Sequence, residues 1–221
     1  MVVFVIAYRV LIYPNYKRRW PVINIIKQFI VFTLVILISA CGSGSNGNSK
    51  QIYHPNEVPD TATVLNIDNR AQQTEVWCWA ATIEITANYY GIAAQQCATL
   101  ATWTGFDCCN GYYSYCVRAG SNYEIQESLR LLGLNSTFAY GPLNWSQITT
   151  EINAGRPMIM FYSDSFSGHV VVLFGYDETT KKVYIHDPYF GTFEVNFGTT
   201  FTYNESKAWT NTLYNISRSI L

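Results

Sequence analysis

A cysteine at a loop-to-helix junction is a candidate nucleophile. Cys78 lies at such a junction in the stretch Gln72-Gln73-Thr74-Glu75-Val76-Trp77-Cys78-Trp79-Ala80-Ala81-Thr82. Unpaired backbone N–H groups and the positive end of the helix dipole at that position favour a thiolate over a thiol. Gln72 precedes Cys78 by six residues and can bring its amide beside the sulfur. That amide and the Cys78 backbone N–H would then hold the oxygen of an attacked carbonyl. Attack by sulfur also requires an imidazole that carries the proton and a group that orients the imidazole. Gly168-His169 ahead of the apolar run Val170–Phe174, and His186-Asp187-Pro188 at the end of a second run, supply candidates for both. If Glu178–Lys182 turns the chain back, the two runs are antiparallel neighbours. His169, starting one strand, and Asp187, ending the next, then share one end of a sheet. A carboxylate there fixes the imidazole tautomer and favours imidazolium.

Each of these residues also has a plainer role. Cys78 beside two tryptophans could be core packing, and Trp77 and Trp79 are themselves expected to frame the helix start. His186 competes with His169 as the base. Adjacent strand residues point to opposite faces, so only one of His186 and Asp187 can face the cleft. His169 follows a glycine at the rim and is preferred. Gln73 competes with Gln72, and only the six-residue spacing separates them.

The elements that must position these groups follow from periodicity and turn residues. Thr63–Ile67 reads as a short strand. A helix is expected from Cys78 to about Tyr90, closed by Gly91, with Ala80, Ile83, Ala87 and Tyr90 on its buried stripe. Further helices are expected at Gln95–Thr102, Tyr123–Leu132 and Leu143–Ala154, with Trp103–Gly120 as a loop. After Gly155-Arg156-Pro157 the pattern becomes strand-like: Met158–Tyr162, His169–Tyr176, Val183–Asp187, Thr192–Phe197 and Trp209–Tyr214. Helices followed by strands indicate an α+β fold of two lobes, with Cys78 at a helix tip facing the sheet across a cleft.

Gln72-x5-Cys78-Trp79-Ala80-Ala81, Gly168-His169 before an apolar strand, and Asp187-Pro188 together resemble the papain-like cysteine peptidases. The bacterial branch related to double-glycine leader peptidases and plant-pathogen effector proteases is the nearest in pattern. Gly155-Arg156-Pro157 and the closing Trp209-Thr210-Asn211-Thr212-Leu213 are also similar to that branch. The resemblance spans roughly Thr61–Tyr214. It implies a two-lobed fold with an N-terminal helical lobe and a C-terminal antiparallel β-sheet lobe. It further implies Cys78 as nucleophile, His169 as base and then acid, Asp187 as orienter, and Gln72 with the Cys78 N–H as oxyanion hole. Asp187 stands where plant papains use asparagine, and the loop lacks their Gly-Ser-Cys lead-in. The substrate would be a protein or peptide, with no cofactor and no metal. A catalytically idle binding protein and a transamidase using the same thioester chemistry are the alternatives. Cutting double-glycine leaders is not expected, because that task belongs to cytosolic domains fused to transporters.

The chain ahead of residue 61 has a different character. Lys17-Arg18-Arg19 and Lys27, the ten-residue apolar run Phe29–Ile38, and Ser39-Ala40-Cys41 resemble a bacterial lipoprotein signal. Residues 1–40 are therefore read as leader, Cys41 as the lipidated residue, 41–60 as a flexible tether, and 61–221 as the peptidase domain. The product would be an exported, membrane-anchored monomer facing the periplasm or the cell exterior. Five of the 14 Lys and Arg precede Cys41 and none of the 15 Asp and Glu does, so from Cys41 onward the net charge is about −6. That sign disfavours nucleic acid as a partner.

Cys97, Cys108, Cys109 and Cys116 remain, and four cysteines allow three disulfide pairings in an exported chain. Adjacent cysteines strain a mutual bond, so Cys108 and Cys109 are expected to pair separately, one with Cys97 and one with Cys116. A zinc site is the competing assignment, disfavoured by the adjacent ligands and the oxidising compartment.

Overall fold

β-branched and aromatic residues dominate the C-terminal half of the chain. In the computed structural model they build the greater part of a nine-stranded antiparallel sheet. The structure describes residues 51–52, 58–111, 113–203 and 206–219. The leader, the lipidation position Cys41 and most of the tether lie outside the described residues. The strands are β1 (Gln51–Ile52), β2 (Ala62–Val64), β3 (Leu134–Tyr140), β4 (Met158–Ser163), β5 (Gly168–Asp177), β6 (Lys182–Asp187), β7 (Gly191–Asn196), β8 (Thr202–Tyr203) and β9 (Lys207–Arg218). Their order is β1-β7-β6-β5-β4-β9-β3, with β2 on β5 and β8 on β9. Gln51 and Ile52, inside the stretch read as tether, pair with Glu194 and Phe193.

The two-residue alternation of strands divides the apolar side chains between the two faces of the sheet. Ile159, Phe161, Val170 and Leu213 face the helices α1 (Cys78–Tyr89), α2 (Gln96–Thr104) and α4 (Asn122–Leu131). Met158, Met160, Tyr162, Val171, Leu173 and Ile185 face the other way and pack with Ile148 and Ile152 of α5 (Trp145–Asn153). The short α3 (Tyr113–Cys116) lies inside the stretch expected to be loop. Both α4 and α5 begin with a capping box, Ser121 with Glu124 and Asn144 with Gln147. Each box satisfies orphan N–H groups and fixes where its helix starts.

Two departures from the sequence expectation have physical causes. Leu134–Tyr140 forms a strand between two helices, so helices and strands are not wholly segregated along the chain. A register shift between Asn135 and Thr137 breaks its alternation, and polar Asn135, Ser136 and Thr137 hide the pattern. Helix α1 was expected to bury one stripe, yet Trp79 through Ala87 are all buried. The helix is enclosed because α2 and α4 cover one side while Ile85 packs against Val172 and Phe174 of β5.

Candidate active site

Helix α1 starts at Cys78, with Trp77 as its N-cap and no side-chain capping bond. The first four N–H groups of any helix lack intrahelical partners, so the Cys78 N–H is an orphan donor by position. Cys78 is the free cysteine among the described residues and is partly exposed. The N-terminus of α1 thus carries a thiol and a backbone donor side by side.

His169 is the second residue of β5, and Asp187 closes β6. The pairing Val172↔His186 puts Asp187 across from Val171, two residues from His169, so His169 and Asp187 share a sheet face. His169 Nε2 donates to Asp187 Oδ1 at 2.8 Å. The Cys78 side chain is the second hydrogen-bond partner of the imidazole, which leaves Nδ1 for the sulfur. Burial by itself would lower the His169 pKa. Hydrogen bonds to Asp187 and Cys78, and the negative charge of both, outweigh it and push it up to about 9. The imidazole therefore holds its second proton at neutral pH.

Asp187 is fully buried and accepts four hydrogen bonds. Its Oδ1 takes His169 Nε2 and the N–H groups of Tyr189 (2.8 Å) and Phe190 (3.2 Å). Its Oδ2 takes the Tyr203 hydroxyl at 2.8 Å. Burial would raise its pKa, but these donors, His169 foremost, hold it below the usual carboxylate value.

The rival histidine faces elsewhere. His186 Nε2 donates to Arg70 O at 2.9 Å, and its Nδ1 meets Thr192 Oγ1 at 2.7 Å. Burial lowers its pKa, which suits a neutral structural imidazole. Its bond to Arg70 helps tie down the loop that leads to Cys78.

That loop is pinned at further points. The Gln72 N–H donates to Pro188 O at 2.9 Å, which docks the loop beside Asp187. Gln96, 1% exposed at the start of α2, donates to Ala71 O (2.9 Å) and Glu84 Oε2 (2.8 Å) and accepts from the Gln73 N–H (2.9 Å). The Gln73 side chain is exposed, whereas the Gln72 amide is turned inward. Gln72 Nε2 gives one hydrogen to Thr74 O at 2.8 Å, and its second amide hydrogen remains for a ligand.

The tryptophans that flank Cys78 anchor the helical side of the site. Trp77 Nε1 donates to Cys116 O (3.0 Å), and Trp79 Nε1 donates to Arg118 O (3.1 Å). The segment that receives them is cross-linked by disulfides Cys97–Cys109 and Cys108–Cys116, with Cα–Cα distances of 5.0 and 5.7 Å. Among the described residues no group of His, Cys, Asp and Glu is placed to hold a metal ion.

The structure thus brings Cys78, His169 and Asp187 into one hydrogen-bonded line and docks the Gln72 loop against it. Sequence reasoning missed Tyr203 and Gln96. Tyr203 lies on a two-residue strand with no periodicity to read. Gln96 carries no motif, and its partners at 71, 73 and 84 converge on it only in the folded chain.

A family model described as "Peptidase_C39 like family" matches residues 64–214, more than half of the chain. No curated protein matches it. Among solved structures, a C39-like peptidase from Bacillus anthracis is 17% identical, with a TM-score of 0.53 over 73% of this chain and 100% of that one. The peptidase domain of Streptococcus ComA is 13% identical, with a TM-score of 0.48 over 68% and 98% of the two chains. Xylellain, a cysteine protease from Xylella fastidiosa, is 9% identical, with a TM-score of 0.44 over 78% and 92%. At these identities the first likeness carries fold alone, an α+β peptidase fold with helices against an antiparallel sheet.

Proposed function

The chain belongs to the Peptidase_C39 like family of papain-like cysteine peptidases, and from that premise we propose that Cys78, His169, Asp187 and Gln72 form its hydrolytic centre. The observation that carries this reading is the continuous line Asp187–His169–Cys78, with the imidazole proton retained to about pH 9. In acylation the Cys78 sulfur adds to the peptide carbonyl carbon. The resulting oxyanion is held by the Gln72 amide and the Cys78 N–H. Collapse of the tetrahedral adduct breaks the C–N bond as His169 gives its proton to the departing amine, leaving a thioester on Cys78. Water then adds to the thioester while His169 takes its proton. The thiolate leaves with the C–S electron pair, and the imidazolium and free acid are restored. Asp187 keeps Nδ1 directed at sulfur throughout by holding Nε2–H.

The substrate on this reading is a protein or peptide. We further infer export as a lipid-anchored protein, supported by the basic, apolar and small-residue order of residues 17–41. Two cross-linked cysteine pairs suit the oxidising compartment that such export implies.

The test is peptide hydrolysis and epoxysuccinyl labelling of the purified full chain. Cys78→Ala is expected to abolish both, and Gln72→Ala to lower kcat by ~100-fold, the effect of losing one oxyanion donor. His186→Ala is expected to retain labelling at Cys78. Normal turnover by the Cys78→Ala protein would end the proposal. Products carrying an added amine would show transfer to amines in place of hydrolysis.

A further inference from the structure

Tyr203 touches both partners of the His169–Asp187 pair, and no part of the mechanism above uses it. Its ring lies against the imidazole, with centroids 4.8 Å apart and planes at 37°. Its hydroxyl donates to Asp187 Oδ2 at 2.8 Å. We propose that Tyr203 is a positioning residue, which braces the His169 ring by contact and fixes the Asp187 carboxylate plane through its hydroxyl. The inference rests on the assignment of Cys78, His169 and Asp187 as the hydrolytic centre.

The geometry explains why such a brace matters. An imidazole that must face sulfur, then a departing amine, then water has one soft torsion, rotation about Cβ–Cγ. The bond from Nε2 to Asp187 restrains that torsion only if the carboxylate itself cannot turn. Asp187 Oδ1 already serves His169 and two backbone N–H groups, so the orientation of Oδ2 decides the plane. The Tyr203 hydroxyl sits on Oδ2. A phenol is suited to this place because the same rigid group supplies an apolar face and a donor.

Tyr203 is itself well supported. Its ring also packs on Tyr162, with centroids 5.3 Å apart, and Tyr162 is the cross-strand neighbour of His169. The Tyr162 hydroxyl is taken up by Thr200 O at 2.7 Å. Tyr203 pairs with Lys207, whose ammonium meets Asp164 Oδ2 at 2.8 Å in the turn just before His169. The brace and the start of β5 are thereby held to one another. Burial, followed by the Asp187 charge, raises the Tyr203 pKa, so the phenol remains a donor across the range in which His169 is charged. Among the described residues, the titratable groups that act on the pair are Cys78 from α1, Tyr162 from β4, His186 from β6 and Tyr203 from β8.

Tyr203→Phe keeps the ring and removes the donor, and Tyr203→Leu removes both. The readouts are peptide kcat and KM, and the pH profile of iodoacetamide alkylation followed at the Cys78 peptide by mass spectrometry. Tyr203→Phe is expected to lower kcat ~10-fold with little change in KM, the effect of one hydrogen bond to a charged group. Its alkylation profile is expected to move its acid limb to higher pH, because Asp187 loses a donor that holds it ionised. Tyr203→Leu is expected to lose ~100-fold, since imidazole support goes as well. An unchanged kcat and an unmoved alkylation profile in Tyr203→Phe overturn the inference. So does a loss of melting temperature alone in both variants. If the unaltered protein turns over no peptide, the peptidase assignment fails, and the alkylation profile still decides the positioning role.

Discussion

Replacing Asp187 with asparagine separates the charge of this residue from its shape. An asparagine placed with its oxygen at the Oδ1 position still accepts from His169 Nε2 and from the Tyr189 and Phe190 N–H groups. Its amide nitrogen then faces the Tyr203 hydroxyl, which can rotate to accept. Geometry survives, while the imidazolium meets a neutral oxygen in place of a carboxylate and the ion pair is lost. Bonds to charged groups contribute about 1.5–3 kcal/mol and neutral ones about 0.5–1.5. Removing the charge at one end of this pair is taken as a difference of the same size, about 1–2 kcal/mol, or a 5- to 30-fold loss of kcat/KM. Asp187→Ala behaves differently. It strands the His169 Nε2–H, the Tyr189 N–H and the Tyr203 hydroxyl in a site where residue 187 has no exposed surface. Unpaired buried donors cost about 1–3 kcal/mol each in folding stability. With no acceptor at Nε2 the imidazole is no longer oriented toward sulfur, so the loss of kcat/KM is larger, ~100-fold or more. The assay is kcat/KM against pH for both variants, with thermal unfolding as a control. Asparagine should also bring the alkaline limb to lower pH, because the carboxylate charge no longer holds the proton on His169. Equal losses in the two variants, or a fixed alkaline limb in Asp187→Asn, would refute the role assigned to the carboxylate charge.

Three further outcomes are expected. The His169 pKa is about 9 against an ordinary 6.5, so the imidazolium's contribution to stability is complete below about 6.5 and is lost as pH rises toward 9. Unfolding free energy and kcat/KM should both fall on that alkaline side, and a profile flat to pH 10 would contradict it. Gln96→Ala leaves the Gln73 N–H, Ala71 O and Glu84 Oε2 without their shared partner, costing about 2–4 kcal/mol in urea unfolding. It should also depress kcat, because the loop that carries Gln72 is freed; wild-type kcat in a destabilised variant would dismiss that link. Gly120→Ala drives a Cβ to within 2.2 Å of the Trp79 ring, which is 1% exposed and beside Cys78. The expected cost is about 2–3 kcal/mol and a melting temperature lower by roughly 5–10 °C, read by calorimetry.

Much of this arrangement was legible in the sequence because it depends on short-range rules. The turn Glu178–Lys182 makes β5 and β6 antiparallel neighbours, which places His169 and Asp187 at one end of the sheet. Alternation along β6 assigns His186 and Asp187 to opposite faces, and His186 does face Arg70 and Thr192. The avoidance of a bond between adjacent cysteines left two pairings open, and Cys97–Cys109 with Cys108–Cys116 is one of them. Gly91, with φ near 69°, ends α1 where a left-handed residue was expected.

By itself, then, the sequence determined the α+β class, the candidate nucleophile, and which end of which strands could meet. Those are properties of spacing, turns and alternation, which involve residues close along the chain. Tertiary structure decided what no local pattern encodes. The edge strand β3 exists because β9 offers it a partner, despite a polar, bulged sequence. Helix α1 is buried on every side because two helices and a sheet converge on it. Gln72 differs from Gln73 because Gln96, Pro188 and His186 lock the loop with one glutamine side chain inward. Tyr203 reaches His169 from a separate hairpin, 34 positions further along the chain. Each of these depends on contacts between segments distant in sequence, whose energies arise only once the chain has closed around them.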